Sequence, residues 1–152
     1  MSELHFEENR FPLVTLRCPS AFDLRAAEAL QSGLERLFAR RQKFVLVCDI
    51  RPVSRVPDAV VRKRLADVMN LPRVREGQSQ FQVGSANVVD SAPLRAALTA
   101  LLWLWTPPTP MGTFAGVAEA ERWAIERLRA AGVDVPPSLL AGEPPARRGA
   151  AR

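Results

Sequence analysis

Two short alternating stretches open the chain, Leu4 to Phe6 and Phe11 to Cys18, joined by the polar turn Glu7 to Arg10. Apolar residues at every second position mark half-buried strands, and Pro19 ends the second one. The period then changes. Leu24, Ala27, Leu30, Leu34, Leu37 and Phe38 fall on one face of a helix running to about Arg41, with Asp23 placed to cap it and Gly33 weakening it slightly. Phe44 to Val47 is an unbroken, β-branched run of the kind a strand covered on both faces requires, and it ends at Asp49.

Pro57 and Asp58 open a second helix with Val61, Leu65, Val68 and Met69 inward and Arg62, Lys63 and Asp67 outward; Pro72 stops it. Phe81 to Val89 reads as a strand. Asp90 or Ser91 caps a third helix with Pro93 in its first turn. Its residues Leu94, Leu98, Leu101, Leu102 and Trp105 recur on one face, and Ala96, Ala100 and Trp103 add a second apolar face beside it. Such a helix is buried nearly all round or shows one side to a partner. The stiff segment Thr106 to Pro110 breaks it, a strand over Gly112 to Val117 follows, and a helix over Ala118 to Ala131 is closed by Gly132. From Pro136 onward prolines, glycines and RRGAAR leave too little apolar surface to offset chain entropy, which predicts one domain over 1–135 and a disordered tail over 136–152. The predicted order is β-β-α-β-α-β-α-β-α, an α/β fold.

Composition changes this picture little. At 152 residues and 47% hydrophobic content, one core without disulfides or metals is sufficient, so Cys18 and Cys48 read as free, buried thiols. The start MSELHFEENR is polar and acidic, which does not suggest export. The longest apolar run, Ala96 to Trp105, is about half of the roughly 20 residues a membrane span needs. Charge is more informative. The formal net charge is +5, and residues 51–75 alone carry that excess, with Arg51, Arg55, Arg62, Lys63, Arg64, Arg73 and Arg75 against Asp58 and Asp67. This sector is either a surface for an acidic partner or the solvated face of an amphipathic helix.

The stretches FPLVTLRCPSAFDLRAAEALQSGLERL and VLVCDI, in that element order, resemble the STAS family of sulfate-transporter and anti-sigma-factor-antagonist domains. The stretch GTFAGVAEAERWAIERL is closer to the variant branch described as STAS and Sec14-like. The resemblance covers roughly Phe6 to Ala131. It implies a mixed sheet of about five strands with four helices packed mainly on one face. It also implies a non-catalytic regulatory module of the bacterial cytoplasm whose partner is a regulatory kinase, a GTPase regulator or an anti-sigma-type protein. In that family a phosphorylatable serine follows an aspartate at the start of the second helix, within Asp-Ser-Ser-Gly. Here Asp58, Ala59, Val60 and Val61 stand at the matching place, so the serine is missing and Ser54 in the preceding loop is the substitute. The family's partner surface would lie around Arg51 to Arg64.

Candidate chemistry is sparse. Asp49 sits where an open α/β sheet collects reactive groups, yet the simpler role is to accept hydrogen bonds from the next loop. His5, the one histidine, has no ligand-spaced neighbours, and no serine has the glycine-flanked elbow of a hydrolase. Neither a metal nor a cofactor is expected. Nucleic acid is disfavoured because basic glycine-rich loops and tyrosine are absent. LLWLWTPPTPM, residues 101–111, is the other feature of interest. Trp103 and Trp105 point roughly 200° apart on a helix, which predicts one in the core and one partly exposed. The leading reading is a protein-interaction module acting through Arg51, Arg55, Asp58, Arg62, Lys63, Trp103, Trp105 and Met111, with a homodimer among its forms. The alternative is a small-molecule or lipid carrier built on the third helix.

Overall fold

The computed structural model describes residues 3–140. Five strands form one sheet in the order β1 (His5–Glu7), β2 (Leu13–Arg17), β3 (Phe44–Asp49), β4 (Gln82–Val88) and β5 (Met111–Phe114). β1 runs antiparallel to β2, and every later pairing is parallel. The parallel strands advance in one direction across the sheet. Crossovers of one hand therefore put their helices on the same face: α1 (Leu24–Ala39), α2 (Ala59–Met69), α3 (Pro72–Phe81) and α4 (Ala92–Leu102). After β5 no strand remains to be reached. α5 (Val117–Ala130) is therefore free to turn back across the opposite face, joined by the short α6 (Pro137–Leu140).

Strand alternation assigns the two larger cores, and a small third cluster of Cys18, Val53, Val89 and Leu94 lies beyond the strand ends. Val14, Leu16, Phe44 and Leu46 meet Leu30, Leu34, Leu37 and Phe38 of α1 with Met69, Val74 and Leu101. Leu13, Val45, Val47, Ala86 and Val88 meet Ala120, Ala124, Ile125 and Leu128 of α5. The expected β3, buried on both faces, thus has its physical cause. Helix starts follow the sequence signals: Asp23 accepts from the Ala26 amide, Asp58 from Val61 and Ser91 from Leu94, so Ser91 rather than Asp90 is the α4 cap.

Several expectations are corrected. Pro72 does not merely stop a helix; α2 ends at Met69 and Pro72 occupies the first turn of α3, where its missing N–H costs nothing. The polar run from Arg73 to Gln80 concealed this helix, because only Val74, Gly77, Gln78 and Phe81 are buried on it. Helices cover both faces, with α1 to α4 on one and α5 and α6 on the other, and the order is β-β-α-β-α-α-β-α-β-α-α. The last strand begins at Met111 and ends at Phe114, three residues before the expected limit at Val117. The first residues of the expected tail are ordered, since Pro137–Leu140 form α6 and Leu139 is only 1% exposed within the α5-side core; the remainder of that expectation, 141–152, lies outside the described residues. Gly33 is a contact point as much as a weakness, because a Cβ there would collide with the ring of Phe6 that β1 lays over α1.

Candidate ligand-binding cavity

The tip of β3 is closed by local bonds. Asp49 is 4% exposed, and its carboxylate accepts from Arg51 Nε at 2.9 Å, Nη2 at 3.0 Å and the Arg51 amide at 3.2 Å. The Arg51 hydrogen bonds hold the Asp49 carboxyl below the usual carboxylate range, against the opposing effect of burial. This is the bland role expected for Asp49, with a bidentate arginine added. The following loop is latched to the segment after β2: the Ser54 amide and Oγ both donate to the Ser20 carbonyl, at 2.9 and 3.2 Å, and Ala21 bridges Arg55. Ser54 itself is exposed.

Most of the basic sector is paired within the chain. Arg62 donates to the Pro57 carbonyl at 2.6 Å, Lys63 to Asp67 at 2.9 Å, Arg73 to Glu35, and Arg75 to the Thr106 carbonyl at 2.9 Å. Arg55 and Arg64 are exposed, and their side chains have no partner among the described residues. The sector is largely a self-satisfied face.

A different site emerges under the helices. Between the sheet and α1, α2, α3 and α4 lies a cavity of about 150 Å³. Its walls are mostly apolar, with Leu30 and Leu34 of α1, Leu65 and Met69 of α2, and Leu94, Leu98 and Leu101 of α4 facing Leu16 and Leu46 of the sheet. Half-exposed Phe22, Ile50, Pro57, Arg62, Ala97 and Leu98 form its rim. Arg62 is the one charged residue lining it among those described.

β4 lines the floor with polar side chains, and a bulge aligns them. Phe44 pairs with Gln82 and Leu46 with Ser85, so two steps on β3 oppose three on β4. The extra residue sends Val83 and Gly84 together toward α5, where Val83 joins that core and a Cβ on Gly84 would lie 3.0 Å from Arg127 Cγ. Gln82, Ser85 and Asn87 are thereby brought onto the cavity face, the re-aiming that bulges perform beside functional sites. Gln78 of α3 adds a third amide, donating to Gln82 Oε1 at 3.3 Å.

Four buried polar side-chain atoms lack a partner among the described residues, and three belong to residues that line this cavity: Gln78 Oε1, Asn87 Nδ2 and Trp105 Nε1, each itself buried within the wall. A buried polar atom without a partner costs about 1–3 kcal/mol. Cys18 and Cys48 also line it. Both are free thiols; burial raises Cys18 well above its ordinary value and pushes Cys48 up to about 12. Protonated at neutral pH, they are wall groups and poor nucleophiles.

The structure therefore divides the residues singled out in the sequence. Arg62, Trp105 and Met111 line the cavity; Arg51, Arg55, Asp58 and Lys63 lie outside it. Trp105 is buried while Trp103 is 82% exposed, one in the core and one at the surface as expected, but α4 ends at Leu102, short of the expected Trp105, and both tryptophans follow it, so helical spacing is not the cause. Sequence reasoning missed Gln78, Gln82, Ser85 and Asn87. The available signal was QVGSANVV, where polar residues interrupt a buried strand and Gly84 hints at a bulge. Among the described residues no group of three potential metal ligands occurs, and no helix is long and apolar enough to cross a membrane. Comparison with protein-family models and with curated proteins finds no match to this chain.

Proposed function

We propose that this chain is a non-catalytic binding module that encloses a small molecule between its sheet and the α1, α2 and α4 layer. The cavity carries the reading: it is apolar and rimmed by half-exposed residues of the α1, α2 and α4 side. A volume of about 150 Å³ accommodates a single aromatic ring, so a compact occupant fits better than a whole lipid. Absence of catalysis is supported by the protonated thiols of the cavity wall and by Asp49, which is paired with Arg51 and turned to the opposite face of the sheet. Native mass spectrometry of gently purified protein tests the reading. A stoichiometric small-molecule mass, lost in Leu98→Trp where the indole fills the rim, is the expected result; a ligand-free mass for both proteins is the contrary one.

The protein-interaction reading has separate support. Leu102, Trp103 and Leu104 are consecutive exposed apolar residues at the end of α4, and aromatic residues are enriched in interfaces. In that reading the module is of STAS-like regulatory type and the tryptophan is its anchor. Trp103→Ser would abolish partner capture without altering the fold, whereas an unchanged set of partners would remove this support.

A further inference from the structure

We infer that the occupant is a compact apolar molecule without hydrogen-bonding groups, a hydrocarbon ring or its equivalent. This deepens the cavity reading and rests on it. The surface that faces the interior is almost entirely apolar, although Gln78, Gln82, Ser85 and Asn87 stand among the lining residues. Their polar ends are sunk in the wall. Gln78 and Gln82 are each 2% exposed and Asn87 4%; the Gln78 amide is given to Gln82 Oε1 at 3.3 Å, and Ser85 Oγ lies 4.0 Å from Cys48 Sγ. A ligand carrying an amide or hydroxyl would give up its bonds to water on entry and receive few in return. An apolar one gives up nothing of the kind.

Charge is excluded on the same ground. Among the described residues Arg62 is the one charged side chain that lines the cavity, and it stands at the rim with Nη1 given to the Pro57 carbonyl at 2.6 Å. The Asp49 carboxylate is on the opposite face of the sheet beside Val47 and Glu121. An ion taken inside would lose its hydration and meet no counter-charge. Size sets the remaining limit, since an apolar cavity of about 150 Å³ holds one aromatic ring or its equivalent. Met69 and Met111 are part of the wall, and their unbranched thioethers adapt to the outline of what they enclose. The rim matches this chemistry, because Phe22, Ile50, Pro57, Ala97 and Leu98 present apolar surface from the point of entry onward. Selection is therefore by volume and apolar burial, and polar substituents count against a ligand.

Three probes of nearly equal size separate the possibilities: toluene, benzamide and benzoate. Binding is read from the methyl resonances of Met69 and Met111, assigned with Met69→Leu and Met111→Leu. Toluene should shift both methyls and bind about tenfold or more tighter than benzamide, whose amide is buried without a partner; benzoate should bind more weakly still. Leu98→Trp, whose indole fills the rim, should abolish the toluene shifts, and if that variant does not fold, Ala97→Phe obstructs the same rim. Benzamide or benzoate binding as tightly as toluene would overturn the apolar occupant while leaving the cavity as a binding site. Silence of both methyls to all three probes, or toluene shifts that persist in a folded rim variant, would overturn the cavity reading and this inference with it.

Discussion

Asp49 and Cys48 stand on adjacent positions of one strand and face opposite sides of the sheet, and burial acts on them in opposite company. At Asp49 the Arg51 hydrogen bonds outweigh desolvation and lower the carboxyl pKa. Its contribution to stability is therefore present above the ordinary aspartate value and is lost as pH falls through the lowered folded value. Arg51 is 40% exposed, and screening at that end limits the contribution to about 1 kcal/mol. Asp49→Asn should cost about that much at pH 7 by urea denaturation, with the gap to wild type closing as the medium is acidified below pH 4. A gap that stays constant into acid would contradict the ion pair as its source. At Cys48 no cation stands by, and burial pushes the thiol to about 12. An aromatic disulfide reagent at pH 8 should leave both cysteines of the native protein unmodified over the time in which it labels both in denaturant. Rapid labelling of the native protein would show that one thiol is activated.

At the scale of elements, close approach decides what propensity does not. α3 packs on α1 because Gly77 has no side chain, and a Cβ there would enter the ring of Phe38. Gly77→Val should destabilise by about 2–3 kcal/mol through overpacking, visible as a lower urea midpoint with an unchanged slope. A neutral result would show that α3 can shift freely. The β4 bulge acts on the same scale: it is one residue long, yet it determines whether Gln82 joins Ser85 and Asn87 or faces α5. This explains why strict alternation read from the sequence did not find the polar floor. Helix α4 shows the converse. Its two apolar faces were legible in the sequence, and the structure uses one of them, through Leu94, Leu98 and Leu101, to roof the cavity.

For the whole molecule, two layers of helices make two separate cores, and the smaller layer depends on the end of the described chain. Leu139 packs with Leu13, Val45 and α5 on the face opposite the cavity. Leu139→Ala should cost about 2–4 kcal/mol by loss of burial and the void left behind, measured as a drop in melting temperature. An equal melting temperature would mean that α6 adds nothing to that core. Trp103 provides the matching control. At 82% exposed its replacement by Ser should change stability by no more than about 0.5 kcal/mol, so any loss of binding in that variant would report on the surface and not on the fold.

The sequence by itself determined the α/β class, five strands in their chain order, the Asp23 cap of α1 and the starts of α2 and α4 to within a residue. These depend on periodicity and on side chains acting within a few residues of themselves. Only the tertiary structure decided the rest. The basic residues of 51–75 find partners such as Glu35 and the Thr106 carbonyl about 30 to 40 residues away, and charge counted along a chain carries no such distances. The cavity is likewise a property of packing: residues of β2, β3, β4 and four helices enclose it, and neither the shift of register that turns Gln82 inward nor the space left between layers is encoded in any one segment.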